Sequence, residues 1–223
     1  MKMDEILKSI RVDLRRSMNG DVSKNMRDKG LNYYINFGID IIRLRTLSKR
    51  HEPSAELGAL LWKQQPRELK IMASMLYPPH DFTIEEAQQW ISEIPTHEIR
   101  EQVCMNLFQN LSFADKLVAD WVNSDDEEER ITGLWLMARL VIAKSDCISN
   151  IDLSNIIDKS IAELNSETYF MQLATRNALK FIGRVSPKVA SEILEKISQY
   201  KDSDNPEEKE VYDSLKFEFE EVI

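Results

Sequence analysis

Three cations recur at steps of four residues late in the chain, at Arg176, Lys180 and Arg184. On an α-helix this spacing puts all three side chains on one face. Such a row could contact successive phosphates of a nucleic-acid backbone. The alternative is a solvated helix face, because charge stripes are common on exposed helices and a cation at position 184 would favour the negative helix end. The sequence leaves both interpretations open.

A second group of cations and aromatic residues lies in the first third of the chain. It contains Arg43, Arg45, Lys49, Arg50, Lys63, Arg67 and Lys70, preceded by Tyr33, Tyr34 and Phe37. Interleaved basic and aromatic residues make this segment the best candidate for a basic nucleic-acid-binding patch. The chain as a whole is acidic, with 29 Lys+Arg, 38 Asp+Glu and a net charge of −9. This balance disfavours a dedicated nucleic-acid binder but permits a basic strip on one face.

Other chemistries find no support in the sequence. There is no HExxH, CxxC or histidine pair at helical spacing, and no glycine-rich phosphate loop or Gly-x-Ser-x-Gly elbow, so no metal site and no cofactor is predicted. Two lone cysteines, Cys104 and Cys147, exclude a disulfide scaffold and favour a reducing compartment, so we expect a cytoplasmic protein. The charged start does not suit a signal peptide, and no apolar run approaches the roughly 18–20 residues of a membrane span.

Helical patterns account for the whole chain, and no alternating strand pattern occurs. Thr83 begins a capping box with Glu86, and Ser186-Pro187 and Asn205-Pro206 mark further helix starts. The four tryptophans have apolar neighbours at helical spacing, which favours core packing over base stacking. The predicted helices span 3–18, 21–29, 40–51, 54–64, 66–77, 83–94, 96–110, 112–123, 126–144, 152–164, 166–184, 186–200 and 205–222.

From residue 54 onward the predicted helices form pairs that begin near residues 54, 83, 112, 152 and 186. Steps of this length indicate stacked antiparallel pairs of the HEAT type. The sequence therefore predicts an all-α, HEAT-like helical repeat array, an α-α superhelix with a concave groove. We expect one monomeric domain over 1–223, with N-terminal helices in 1–53, helix pairs in 54–200 and an acidic cap helix in 201–223. The pattern leaves open whether this acidic helix covers the groove.

Two segments resemble motifs of the AlkD-like DNA alkylation-repair family. The stretch Asn36-Phe37-Gly38-Ile39-Asp40-Ile41-Ile42-Arg43-Leu44-Arg45 resembles the family's x-Φ-Gly-Ile-x-x-x-x-x-Arg pattern. The stretch Leu60-Leu61-Trp62-Lys63-Gln64-Gln65-Pro66-Arg67-Glu68-Leu69-Lys70 resembles its Leu-Trp-x-x-x-x-Arg-Glu segment. With the helix-pair spacing, the resemblance covers approximately residues 20–200. It implies an array that holds duplex DNA in a basic concave groove and releases N3- or N7-alkylated purines by cleaving the glycosidic bond.

The chain departs from this family where the active groups should lie. Active members carry a Trp-Asp segment and a second Asp, whereas the matching region, 96–103, contains neither residue type. Glu98 and Glu101 are the candidate replacements for the catalytic carboxylate. The family's groove arginine falls on Arg130, and a later groove tryptophan falls near Asn177. A carboxylate would stabilise an oxocarbenium-like sugar and an aromatic face would hold a cationic base, so losing both weakens the catalytic rationale.

Two hypotheses follow from these patterns. The first is a duplex-DNA binder of the alkylation-repair type whose glycosylase activity on N3- or N7-alkylpurines is weak, altered or lost. Its DNA-binding residues would be Arg43, Arg45, Lys49, Arg130, Arg176, Asn177, Lys180 and Arg184. The second is a non-catalytic HEAT-repeat scaffold that binds a protein partner, which the net negative charge favours. Neither hypothesis involves a membrane.

Overall fold

The computed structural model describes residues 3–222, and within this range the chain forms thirteen α-helices and no β-strand. The helices are α1 (Met3–Arg16), α2 (Gly20–Asp28), α3 (Ile41–Ser48), α4 (Ala55–Trp62), α5 (Arg67–Leu76), α6 (Ile84–Ser92), α7 (His97–Asn106), α8 (Ala114–Val122), α9 (Glu127–Ile142), α10 (Leu153–Ala162), α11 (Tyr169–Gly183), α12 (Pro187–Lys196) and α13 (Pro206–Phe219). Each corresponds to one predicted helix, so the all-α prediction is confirmed. No helix in the described range is long and apolar enough to cross a membrane.

The predicted helix starts are formed by the expected capping groups. Thr83 and Glu86 form the reciprocal capping box at α6. The side chain of Ser186 accepts a hydrogen bond from the Val189 amide at the start of α12. The helix predicted from residue 166 begins only at Tyr169, because the Ser166 hydroxyl accepts from the Thr168 amide and closes a turn there. Local hydrogen bonds of this kind compete with the first helical turn.

Contacts divide the chain into two compact units, with the boundary between Ser112 and Phe113. The N-terminal unit holds α1 to α7, and the C-terminal unit holds α8 to α13. The expectation of one domain over 1–223 stays a prediction.

The core of the N-terminal unit lies around α5, which packs against α3, α4 and α7. Trp62 and Trp90 stack with ring centroids 4.0 Å apart and nearly parallel planes. Both indoles are buried, so they pack in the core as predicted. The ammonium of Lys70 lies 4.2 Å from the centroid of Trp62 and donates to its backbone carbonyl. Lys70 thus supports the core instead of joining an exposed basic patch.

Gly38 fixes the path of the segment between α2 and α3. Its φ of 70° lies in the left-handed region, and a Cβ there would stand 2.1 Å from the backbone oxygen of Asn19. A side chain is therefore excluded both by its own conformation and by the neighbouring backbone. This close approach lets the Asn19 amide donate to the carbonyl of Phe37, which ties the segment to the start of α2.

In the C-terminal unit, α11 packs against α9, α10, α12 and α13. The last helix, α13, packs against α11 through one apolar face. Val211, Leu215 and Phe219 recur every four residues on it and are buried. The Phe219 ring fits directly over Gly183, where an added Cβ would lie 2.2 Å from the ring. The acidic last helix is therefore a packed element of this unit, with its polar residues on the remaining faces.

Candidate nucleic-acid interface

The α11 basic face, formed by Arg176, Lys180 and Arg184, contains the three cations whose spacing predicted a shared helix face. Arg176 and Lys180, together with Asn177, line a cavity of about 210 Å³ between α11 and α13. Arg184 is the residue that caps the C-terminal end of α11. The structure therefore brings four predicted site residues together on one element. Their role in binding DNA stays a prediction.

The acidic last helix contributes a carboxylate to this face. Glu218 accepts hydrogen bonds from both the Lys180 ammonium and the Arg184 guanidinium. The Glu218 side chain is 20% exposed, so its two ion pairs lie near the protein surface and not in the core. The hydrogen bond from Lys180, together with that from Arg184 and both positive charges, lowers the pKa of Glu218 from its ordinary value. Glu218 is thus an anion that pairs with two of the three cations of the α11 basic face.

Arg176 differs from its two neighbours on the α11 basic face. No carboxylate among the described residues pairs with it, and its Nε is buried without a hydrogen-bond partner. It lies beside Asn177 in the same cavity.

Arg130 lies at a different cavity of the C-terminal unit. Its Nη1 donates to the carbonyls of Ser124 and Asp125, and its Nε lies 3.0 Å from a carboxylate oxygen of Glu163. These contacts hold the turn between α8 and α9 against the end of α10. The guanidinium predicted to contact phosphate therefore has a structural task within this unit.

Three of the predicted DNA-binding cations belong to the N-terminal unit and lie on and just after α3. Arg43, Arg45 and Lys49 are all exposed, and no ion pair involves them within residues 3–222. Arg43 makes a long contact of 3.4 Å with the Ser17 hydroxyl. These three side chains are accessible to solvent, and their contact with DNA stays a prediction.

Arg67 was expected in the same basic patch, but it is buried, with only 1% of its side chain exposed. Its guanidinium donates to both carboxylate oxygens of Glu98, at 2.8 and 2.5 Å, and to the carbonyl of Ile39 at 2.8 Å. It also lies 3.2 Å from Glu68. Burial by itself would lower the pKa of Arg67, but the two carboxylates outweigh burial and raise it. The charge is therefore fixed and internal.

Glu98, one of the two candidate catalytic carboxylates, is the main partner of this arginine. Besides the two Arg67 contacts, it accepts a hydrogen bond from the Tyr33 hydroxyl, which also contacts the Thr96 hydroxyl at 2.8 Å. Burial favours a higher pKa for Glu98, but the hydrogen bonds and charge of Arg67 and the bond from Tyr33 outweigh it and lower the pKa. These bonds satisfy both carboxylate oxygens and leave 19% of the side chain exposed.

Glu68 completes the network on the other side of Arg67. Its carboxylate accepts from the backbone amides of Phe37 and Ile39, at 3.1 to 3.3 Å. The two sequence segments that resemble the AlkD-like family therefore meet in space. The Arg-Glu pair of one holds the Phe-Gly-Ile loop of the other. Sequence reasoning missed this contact, although an Arg-Glu pair just after a proline at a helix start is the signal that could have indicated it.

Glu101, the second candidate carboxylate, lies one turn further along α7. It is 39% exposed and lies 3.5 Å from the Nε2 of His97. It is the more accessible of the two carboxylates, but no arginine of the N-terminal unit pairs with it. The described residues contain no group of three or more His, Cys, Asp and Glu side chains that could hold a metal ion.

The helical repeats and these motif contacts agree with a comparison to protein-family models. Residues 10–208 match the model described as DNA alkylation repair enzyme. The chain belongs to this family. In this member of the DNA alkylation repair family, the Arg67–Glu68 pair holds the loop around Gly38.

A solved structure supports the same fold. It represents a new family of proteins related to the HEAT-like repeat DNA glycosylases with affinity for branched DNA structures. The alignment has a TM-score of 0.80 and covers 99% of this chain and 95% of that one, at 15% sequence identity. At this identity the likeness shows the fold alone, and it confirms the predicted HEAT-like class. Among curated proteins, none matches the sequence.

Proposed function

We propose that the chain binds duplex DNA, including branched forms, and that glycosylase activity on N3- or N7-alkylpurines is weak, altered or lost. The observation that carries the binding proposal is the α11 basic face, where Arg176 and Lys180 share a cavity with Asn177. Exposed cations on α3 supply further positive charge in the N-terminal unit. The related solved structure belongs to proteins with affinity for branched DNA, which supports including branched forms as ligands. Binding in a concave groove stays a prediction.

The contacts of Glu98 support the catalytic part of the proposal. A carboxylate that stabilises a departing sugar must face the substrate. Both carboxylate oxygens of Glu98 instead accept hydrogen bonds from within the protein, from Arg67 and Tyr33. Glu101 is accessible, but the aromatic partner expected beside it is missing from the 96–103 region. This arrangement favours DNA binding over efficient base release.

A protein-interaction scaffold is the second candidate function. It is favoured by the net charge of −9 and by Glu218, which already neutralises Lys180 and Arg184. The exposed Phe217 beside it adds apolar surface to the same end of α13.

Salt dependence of DNA binding separates the two candidates. Fluorescence anisotropy would be measured on a plain duplex and a four-way junction at several salt concentrations. Each phosphate contact releases counterions and adds about 0.9 to the slope of log affinity against log salt. We expect the double variant Arg176→Gln with Lys180→Gln to lower this slope by about 1–2. Glutamine is preferred to glutamate because a carboxylate at position 180 would repel Glu218.

The matched control is Lys188→Gln with Lys201→Gln, which removes the same charge from exposed positions outside the α11 cavity. It should leave the slope close to that of the parent chain. Equal slopes for the two double variants would show that the α11 basic face does not contact DNA and is only a solvated helix face. If the parent chain binds neither DNA at low salt, the DNA-binding proposal is rejected and the protein-interaction scaffold is the remaining candidate.

Base release is measured separately on a duplex that carries N7-methylguanine. We expect release close to the uncatalysed rate, because the carboxylate and aromatic groups of active family members are missing. Chromatography of the freed base gives the rate for the parent chain, Glu98→Gln and Glu101→Gln. Fast release that Glu101→Gln abolishes would establish a true enzyme with Glu101 as its carboxylate. Fast release unchanged by both substitutions would reject both candidates.

A further inference from the structure

A third cavity, of about 370 Å³, lies in the N-terminal unit and is not part of the interface described above. We call the lining residues from α1 and the end of α4 its rim, and those from the loop before α3, with Pro66, its floor. Its lining residues are Arg11, Arg15, Ile35, Phe37, Lys63, Gln64, Gln65 and Pro66. Three of these are cations and none is a carboxylate. A cavity with this charge attracts an anion.

The position of one rim cation is fixed before any ligand arrives. The Nη2 of Arg11 donates to the Gln64 side-chain oxygen at 2.7 Å, and the Gln64 amide donates to the Leu60 carbonyl at 3.0 Å. Arg15 and Lys63 are exposed at the same rim, and neither pairs with an acid among residues 3–222. A preorganised rim reduces the ordering cost of binding.

The floor of the cavity is apolar and rigid. The backbone carbonyl of Ile35 accepts from the Arg67 amide at 3.0 Å, and Ile35 forms an isolated bridge with Pro66. The Phe37 amide is held by Glu68. An apolar surface with a partly exposed Phe37 suits the face of a base, and the exposed side-chain amide of Gln65 suits its polar edge.

We infer that this cavity binds the phosphorylated terminal nucleotide of a DNA strand. A terminal phosphomonoester carries close to two negative charges at neutral pH, whereas a phosphodiester within a strand carries one. Three converging cations match the dianion better, and a volume of about 370 Å³ accommodates one nucleotide. The inference rests on and extends the proposed DNA binding, because branched forms with a flap or an overhang present an unpaired strand end.

The first test uses thymidine 5′-monophosphate and thymidine as probes, with the full chain. Chemical shifts or fluorescence report binding of each probe. We expect the monophosphate to bind and thymidine to bind at least tenfold more weakly, because charge-assisted contacts are lost. In Arg15→Gln with Lys63→Gln, the affinity for the monophosphate should fall by roughly tenfold or more. The matched control, Lys8→Gln with Arg16→Gln, removes two exposed α1 cations that do not line the cavity.

The outcomes separate this site from the proposed DNA-binding function. Monophosphate binding that the rim variant loses and the α1 control keeps supports the site, even if no long DNA binds. Equal affinity for the monophosphate and thymidine would overturn it. Competition by inorganic phosphate at the same affinity as the monophosphate would overturn the nucleotide assignment. If the parent chain binds DNA, a duplex with a 5′-phosphorylated overhang should bind several-fold more tightly than its 5′-hydroxyl counterpart, and equal affinity would also overturn the proposal.

Discussion

Replacing Arg67 by Met should lower the free energy of unfolding by about 3–5 kcal/mol, the typical cost of removing one partner from a buried ion pair. The substitution takes a 1%-exposed guanidinium from between Glu68 and Glu98. Glu68 is fully buried and would keep a negative charge with only backbone amides as partners. The loop carbonyl of Ile39 would also lose its donor. Urea denaturation of the full chain measures the change.

The exposed Arg45 of α3 offers a matched control for this experiment. Arg45→Met should change the free energy of unfolding by less than about 0.5 kcal/mol, as exposed substitutions commonly do. Adding Glu98→Gln to Arg67→Met should recover part of the loss, because it removes one uncompensated carboxylate. Equal stability of the Arg67 and Arg45 variants would show that the buried network does not stabilise the fold.

The same network makes stability depend on pH in a defined direction. The folded pKa of Glu98 lies below its ordinary value of 4.5. Its contribution to stability is therefore complete above about pH 4.5 and is lost as the pH falls through the lower folded value. Glu98→Gln cannot titrate at this position. The difference in unfolding free energy between the parent chain and Glu98→Gln should shrink as the pH falls below about 4.5.

Local chemistry in the sequence predicted the helices well, because their start signals act over three or four residues. The Thr83 capping box and the Ser186 cap form as predicted. The partners of the charged residues could not be predicted in the same way. Arg67 was assigned to an exposed patch, but its partner Glu98 lies 31 residues away in the chain. A charge is buried or exposed according to such distant contacts, and spacing along one helix does not contain that information.

The resemblance motifs illustrate the same limit. They predicted the family correctly, but their residues serve the fold. Gly38 permits a left-handed turn, and Glu68 holds the amides on both sides of it. A motif shared within a family of DNA-repair proteins can thus report a common framework. The proposed DNA contacts instead involve solvent-accessible cations, both within the first motif, at Arg43 and Arg45, and outside it, on α11.

The relation between α13 and α11 explains how an acidic chain can keep a basic face. Lys180 and Glu218 are 38 residues apart, and the packing of Phe219 over Gly183 brings them together. Glu218 satisfies two cations while no polyanion is bound. A DNA phosphate at the same place would have to displace this carboxylate or bind around it. If the α11 basic face binds DNA as proposed, we expect the acidic last helix to lower its affinity.

Replacing Glu218 by Gln should raise affinity for duplex DNA about 2–30-fold at low salt, because it frees two cations whose exposed ion pairs are each worth about 0.2–1 kcal/mol. The fold should persist, since Val211, Leu215 and Phe219 still hold α13 in place. Asp213→Asn is the matched control, because it removes the same charge from an exposed position on the same helix. Anisotropy titrations compare the two variants. An equal gain in both would mean that net charge, and not release of Lys180 and Arg184, governs binding.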